Sequence, residues 1–84
     1  MNIQLKLYAS LMRYLPEGTE DRHAASLDVP EGITAAQLID AQKLPKEACF
    51  LVLQNGVYLT PAERESRPIE DGDAIAIWPP IAGG

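Results

Sequence analysis

Five consecutive apolar residues, Ala74-Ile75-Ala76-Ile77-Trp78, constrain this chain more than any other stretch. The run has the length of a strand and is apolar on both faces of the pleat. Such a strand belongs in the middle of a sheet, where neighbours cover it. Asp71-Gly72 turns the chain into it. Pro79-Pro80 ends it, because each proline fixes φ near about −65° and supplies no N–H to a ladder. With 84 residues there is room for one small domain, so the other elements must be arranged around this strand.

Those elements can be read in order. Ile3, Leu5 and Leu7 alternate with polar neighbours and predict a half-buried strand. Ser10 is expected to cap a short helix with Leu11 and Leu15 on one face, ended by Pro16 and Gly18. Glu17 to Arg22 is polar and reads as a loop. Ala25, Leu27 and Val29 alternate again, and Pro30 closes a second strand. Thr34 and Gln37 match a capping box, with Ile33 and Leu38 placed as a hydrophobic staple. The helix they start is expected to stop near Lys43, because Pro45 disfavours helical geometry at Leu44. Phe50 to Gln54 predicts a third strand. Asn55-Gly56 is a type I′ hairpin signal, with Val57-Tyr58-Leu59 returning. Pro61 to Pro68 is charged and reads as irregular.

Strand, strand, helix, strand, short strand, strand is an α+β pattern. Its natural solution is a mixed sheet with one face on the main helix and the last strand beside the first, parallel to it. That is the ubiquitin-like β-grasp. Residues 1–78 are expected to form this domain, and residues 79–84 an extended, flexible tail.

Composition removes several function classes. The net charge of −5 argues against non-specific nucleic-acid binding, which needs clustered Lys and Arg. No stretch approaches the ~20 apolar residues of a membrane span. The amino-terminal residues lack the apolar core of a signal peptide. A single cysteine, Cys49, excludes an intrachain disulfide and suits a reducing compartment, so a cytoplasmic location is expected. One histidine, His23, offers no set of metal ligands. Cys49 reads as a small buried hydrophobe rather than a persulfide carrier. Glu63, Glu65 and Asp71 read as solvated surface.

The tail, Pro79-Pro80-Ile81-Ala82-Gly83-Gly84, carries the chemistry. Ile81 to Gly84 reach roughly 13 Å at about 3.3 Å per residue. Gly83 and Gly84 have no Cβ, which makes the end thin enough for a narrow tunnel. Gly84 is expected to present a free carboxylate, ionised at neutral pH with a pKa of about 3.3–3.7. The face bearing Ala76 and Trp78, joined by Tyr8, is either a partner-binding hot spot or a surface covered by the protein's own loops.

The ending from Asp71 to Gly84 resembles the MoaD/ThiS-like sulfur carriers of cofactor biosynthesis, and within them the small subunit of molybdopterin synthase. Leu53-Gln54-Asn55-Gly56 and Tyr8-Ala9-Ser10-Leu11-Met12-Arg13-Tyr14-Leu15 are also similar to segments of that family. The thiamine carrier shares the fold and an Ala-Gly-Gly finish but usually lacks the Pro-Pro step. Trp78 stands where the molybdopterin group more often has Phe. The resemblance implies that a ubiquitin-activating-type enzyme, using ATP and Mg, adenylates Gly84. A persulfide protein then supplies sulfur, leaving a thiocarboxylate. It further implies transfer to cyclic pyranopterin monophosphate inside the large synthase subunit, in a heterotetramer. The resemblance also implies a carrier that binds no cofactor itself and is not catalytic alone. The alternatives are a carrier for thiamine or another pathway, a ubiquitin-like modifier of lysines, and a β-grasp interaction module with an inert tail.

Overall fold

The structure, a computed structural model, describes residues 1–16 and 22–80. Five strands form one sheet: β1 (Asn2–Leu7), β2 (Ala24–Asp28), β3 (Leu51–Gln54), β4 (Val57–Tyr58) and β5 (Ala74–Trp78). Their order is β2-β1-β5-β3-β4, so the all-apolar strand is indeed central. β5 pairs parallel with β1, Leu5 opposite Ile75 and Leu7 opposite Ile77. It pairs antiparallel with β3, Val52 opposite Ile77. The architecture is the α+β β-grasp, a mixed sheet on one main helix. The stretch read as a polar loop lies, apart from Arg22, outside the described residues.

One face of the sheet is buried. Leu5, Leu7, Val52, Ile75 and Ile77 are fully enclosed there, against Leu38 and Ala35 of helix α1 (Ala35–Ala41). The capping box at Thr34 is formed: Gln37 N donates to Thr34 Oγ1 at 3.3 Å, and Thr34 N donates to Gln37 Oε1 at 3.0 Å. The hairpin at Asn55-Gly56 has φ of 52° and 82° at its two central residues, as type I′ requires.

Two local expectations are corrected. The segment after β1 is a 3-10 helix, Ala9–Tyr14, and Ser10 does not cap it. Leu11 enters the core, while Leu15, in extended backbone just past the helix, packs against it partly exposed. The stretch read as irregular contains a second helix, α2 (Pro61–Ser66), which packs on α1. Its start is another capping box, Thr60 with Glu63, and it has proline in its first turn. The two Thr60 bonds, the first from its backbone N–H, hold the Glu63 carboxyl below its usual pKa.

α1 ends near Lys43 as expected, with Ala41 its last residue and Gln42 its C-cap. Lys43 lies in the left-handed region with φ 58°. Its N–H donates to Asp40 O at 3.1 Å, and Leu44 N donates to Ile39 O at 3.0 Å. This is a Schellman motif with the buried Leu44–Ile39 contact that accompanies it. A Cβ in this conformation is strained, so Lys43→Gly is expected to stabilise the fold by about 0.5–1 kcal/mol. Chemical denaturation of the two proteins checks this; a lower midpoint for the variant would contradict it.

Candidate functional site

β5 is held on both sides up to its last residue. Tyr8 N donates to Ile77 O at 3.2 Å, and Phe50 N donates to Trp78 O at 3.0 Å. Pro79 and Pro80 then leave the ladder without donors, as their chemistry demands. Ile81, Ala82, Gly83 and Gly84, the residues read as the presented tail, lie outside the described residues. The site is thus defined structurally by its root.

That root is aromatic. Trp78 and Tyr8 stack with ring centroids 4.3 Å apart and planes 3° from parallel. His23 stacks on Tyr8 at 5.1 Å and 21°. Strand pairing puts Tyr8, Ala76 and Trp78 on the sheet face opposite the helices. Leu51 and Leu53 lie across β5 from Trp78 and Ala76. Tyr58, 49% exposed, lies opposite Leu53. Tyr8, Leu51, Leu53, Ala76 and Trp78 are all partly exposed. They form an apolar strip leading to the point where Pro79 departs. The stack with His23 joins parts of the chain too distant for any sequence pattern to connect.

The other end of β5 is fixed by a polar network that the sequence reading missed. Asp73, 8% exposed, accepts from Gln54 Nε2 at 2.7 Å, Asn55 Nδ2 at 2.8 Å and Glu70 N at 2.9 Å. Asn55 Oδ1 in turn accepts from Ala74 N at 2.9 Å. Burial pushes the Asp73 pKa up, but the hydrogen bonds from Asn55, Glu70 N–H and Gln54, with the Arg67 charge, outweigh it. The carboxyl is held below its usual range. The available signal was an Asn-Gly turn and an Asp-Gly-Asp turn flanking two strands.

Cys49 is 4% exposed and its thiol lies 3.4 Å from Pro45 O. Burial pushes its pKa up, Arg64 opposes this and Glu47 adds to it, leaving it raised. A buried thiol with little thiolate character suits packing rather than sulfur transfer. Among the described residues, no group of three or more His, Cys, Asp or Glu converges on a metal site, and no helix is long and apolar enough to cross a membrane.

A β-grasp sheet whose central strand runs into Pro79-Pro80 and a Gly-Gly sequence defines a class, the small ubiquitin-like sulfur carriers. The sequence profile of the ThiS family matches residues 7–84, and the chain belongs to that family. No curated protein matches it by sequence. Several solved structures share its fold. The small archaeal modifier protein 1 of Haloferax volcanii is 21% identical, with 95% of this chain and 98% of that one covered and a TM-score of 0.64. The thiamine biosynthesis protein ThiS of Geobacter metallireducens is 20% identical over 100% of both chains, with a TM-score of 0.66. Subunit 1 and subunit 2 of the molybdopterin-converting factor of Helicobacter pylori form a protein–protein complex in a structure with one chain 13% identical to this one. Coverage there is 100% of both chains and the TM-score is 0.61.

Proposed function

We propose that this chain carries sulfur on Gly84 for molybdopterin biosynthesis. An ionised carboxylate is a poor electrophile. A ubiquitin-activating-type partner therefore joins it to the AMP of ATP, with Mg, and pyrophosphate leaves. The terminal sulfur of a partner's persulfide displaces AMP, and a thiol reduces the resulting acyl disulfide to the Gly84 thiocarboxylate. The tail then enters the large synthase subunit, where the sulfur attacks cyclic pyranopterin monophosphate. Glycine keeps the attacked carbonyl unhindered and the tail narrow. The apolar strip of Tyr8, Ala76 and Trp78 serves as the surface on which these partners dock.

The observation that carries this reading is the step from a central strand directly into Trp78-Pro79-Pro80, followed by Gly83-Gly84. A paired strand and two prolines make a stiff base for a carried group, and the family match extends through Gly84. The same family profile favours, as a second reading, a thiamine-type acceptor for the same thiocarboxylate.

Intact mass of the untagged protein from its own cells tests the proposal. A fraction heavier by one oxygen-to-sulfur exchange at Gly84 is expected. Purely unmodified protein, even after incubation with ATP, a sulfur donor and the host's adenylating enzyme, contradicts it. Adducts of Gly84 on lysines would replace it with the modifier reading.

A further inference from the structure

Phe50 is the most exposed large apolar residue of the described chain, at 66%. A lone apolar side chain on a surface needs no explanation. This one has three features that do. It stands beside the tail root, since its N–H donates to the carbonyl of Trp78, the residue before Pro79. Its backbone is pinned on the other side as well: Arg64 Nη2 donates to Phe50 O at 2.8 Å, and Arg64 Nη1 donates to Cys49 O at 2.9 Å. The ring is therefore carried on a fixed backbone, which lowers the ordering cost of using it in an interface. Third, the guanidinium that pins it has no carboxylate within ion-pair distance among the described residues. Its hydrogen-bond partners are the two carbonyls, and the carboxylate on the same cleft, Glu65, does not pair with it.

Next to Phe50, between α1 and α2, lies a cleft of about 230 Å³. Ile39, Cys49 and Pro61 line it, with the charged Lys46, Arg64 and Glu65. The cleft thus reaches Cys49, the residue before Phe50, and shares with Phe50 the Arg64 side chain, while the Phe50 N–H is bonded to the tail root.

We infer that Phe50 is a docking anchor for the enzyme that activates the tail, filling an apolar pocket at the mouth of that enzyme's tail channel, with a carboxylate of the channel rim facing Arg64. The inference rests on the carrier reading above. An enzyme that draws the last glycines into its active site must bring the rim of that site against the chain near Pro79, because the four residues after Pro80 reach only about 13 Å. Phe50 is hydrogen-bonded to that root. Against the acidic net charge of this chain, Lys46 and Arg64 outnumber Glu65 at this cleft, which sets the sign of the complementary group.

The test is ATP–pyrophosphate exchange by the host's adenylating enzyme, with the full chain as substrate. Phe50→Ala is expected to raise KM for the carrier about tenfold while kcat stays within about twofold, the pattern of a lost binding anchor. Phe50→Leu, which keeps apolar bulk, should fall between the two, and it carries the reading if Phe50→Ala loses its fold. The melting temperature of Phe50→Ala should stay within about 2 °C of wild type, because the ring buries little. A KM within twofold of wild type for a folded Phe50→Ala overturns the inference alone. No exchange with the wild-type chain overturns the carrier reading and this inference together.

Discussion

A chain lacking Gly84 is expected to form no detectable thiocarboxylate and to melt at the wild-type temperature. The core ends at Ile77, and the last pairing of the sheet is made by the Trp78 carbonyl, so the fold is complete before the tail begins. Truncation leaves a carboxylate on Gly83, chemically equivalent but about 3.3 Å closer to the domain. Reacting groups must meet within a few tenths of an ångström of their productive geometry. A misplacement of about 1 Å already costs on the order of 100-fold, so a whole residue puts the carboxylate out of reach of activation. Mass spectrometry after incubation with ATP, sulfur donor and adenylating enzyme reads the loading, and calorimetry reads the fold. Normal loading of the truncated chain would remove Gly84 from the mechanism.

Replacing Asp73 by Ala is expected to cost about 2–3 kcal/mol at neutral pH. The carboxylate is the common acceptor for Gln54 Nε2, Asn55 Nδ2 and Glu70 N, and its loss leaves donors near the sheet without a partner. The effect depends on pH in a definite direction. Asp73 titrates below its unfolded value because these hydrogen bonds and Arg67 outweigh burial. Its ionic contribution is fully present above the unfolded pKa of about 3.9 and is lost as pH falls through the lower folded value. The stability gap between wild type and Asp73→Asn should therefore be widest near neutrality and shrink below about pH 4. Urea unfolding of both proteins at several pH values measures it. A gap that widens on acidification would contradict the assignment.

Much of this fold was legible because its signals are local. Thr34 and Gln37 meet within one turn of helix, Asn55-Gly56 makes its own turn, and the Ala74–Trp78 run announces burial on both faces. The second helix carried the same kind of signal in Thr60-Pro61-Ala62-Glu63. Charge and the flanking Pro61 and Pro68 obscure it. The failed Ser10 cap has a different origin: the 3-10 helix starts at Ala9, so Tyr8 takes the cap position and Ser10 lies inside the first turn. The features that define the site's surroundings arise only on folding. Tyr8, His23 and Trp78 stack across three segments, Asp73 gathers donors from β3 and from the turn before β5, and Arg64 reaches back to Phe50. None of these has a period or a spacing. The tail was the reverse case, plain in sequence and beyond the described residues in structure.

The central place of β5 has a consequence for how the chain folds. β5 joins β1, made near the start of synthesis, to β3, made in its second half. Before Ala74 to Trp78 exist, the chain holds only two separate ladders, β2 with β1 and β3 with β4, each with an open inner edge. Such edges invite pairing with other chains. The decisive contacts span most of the sequence, which places folding among the slower, non-local class and after β5 has been made. A nascent or misfolded chain lacks the paired strand that leads to Pro79, so on the proposed carrier function an activating enzyme that reads the sheet as well as the glycines would act only on chains that have finished folding.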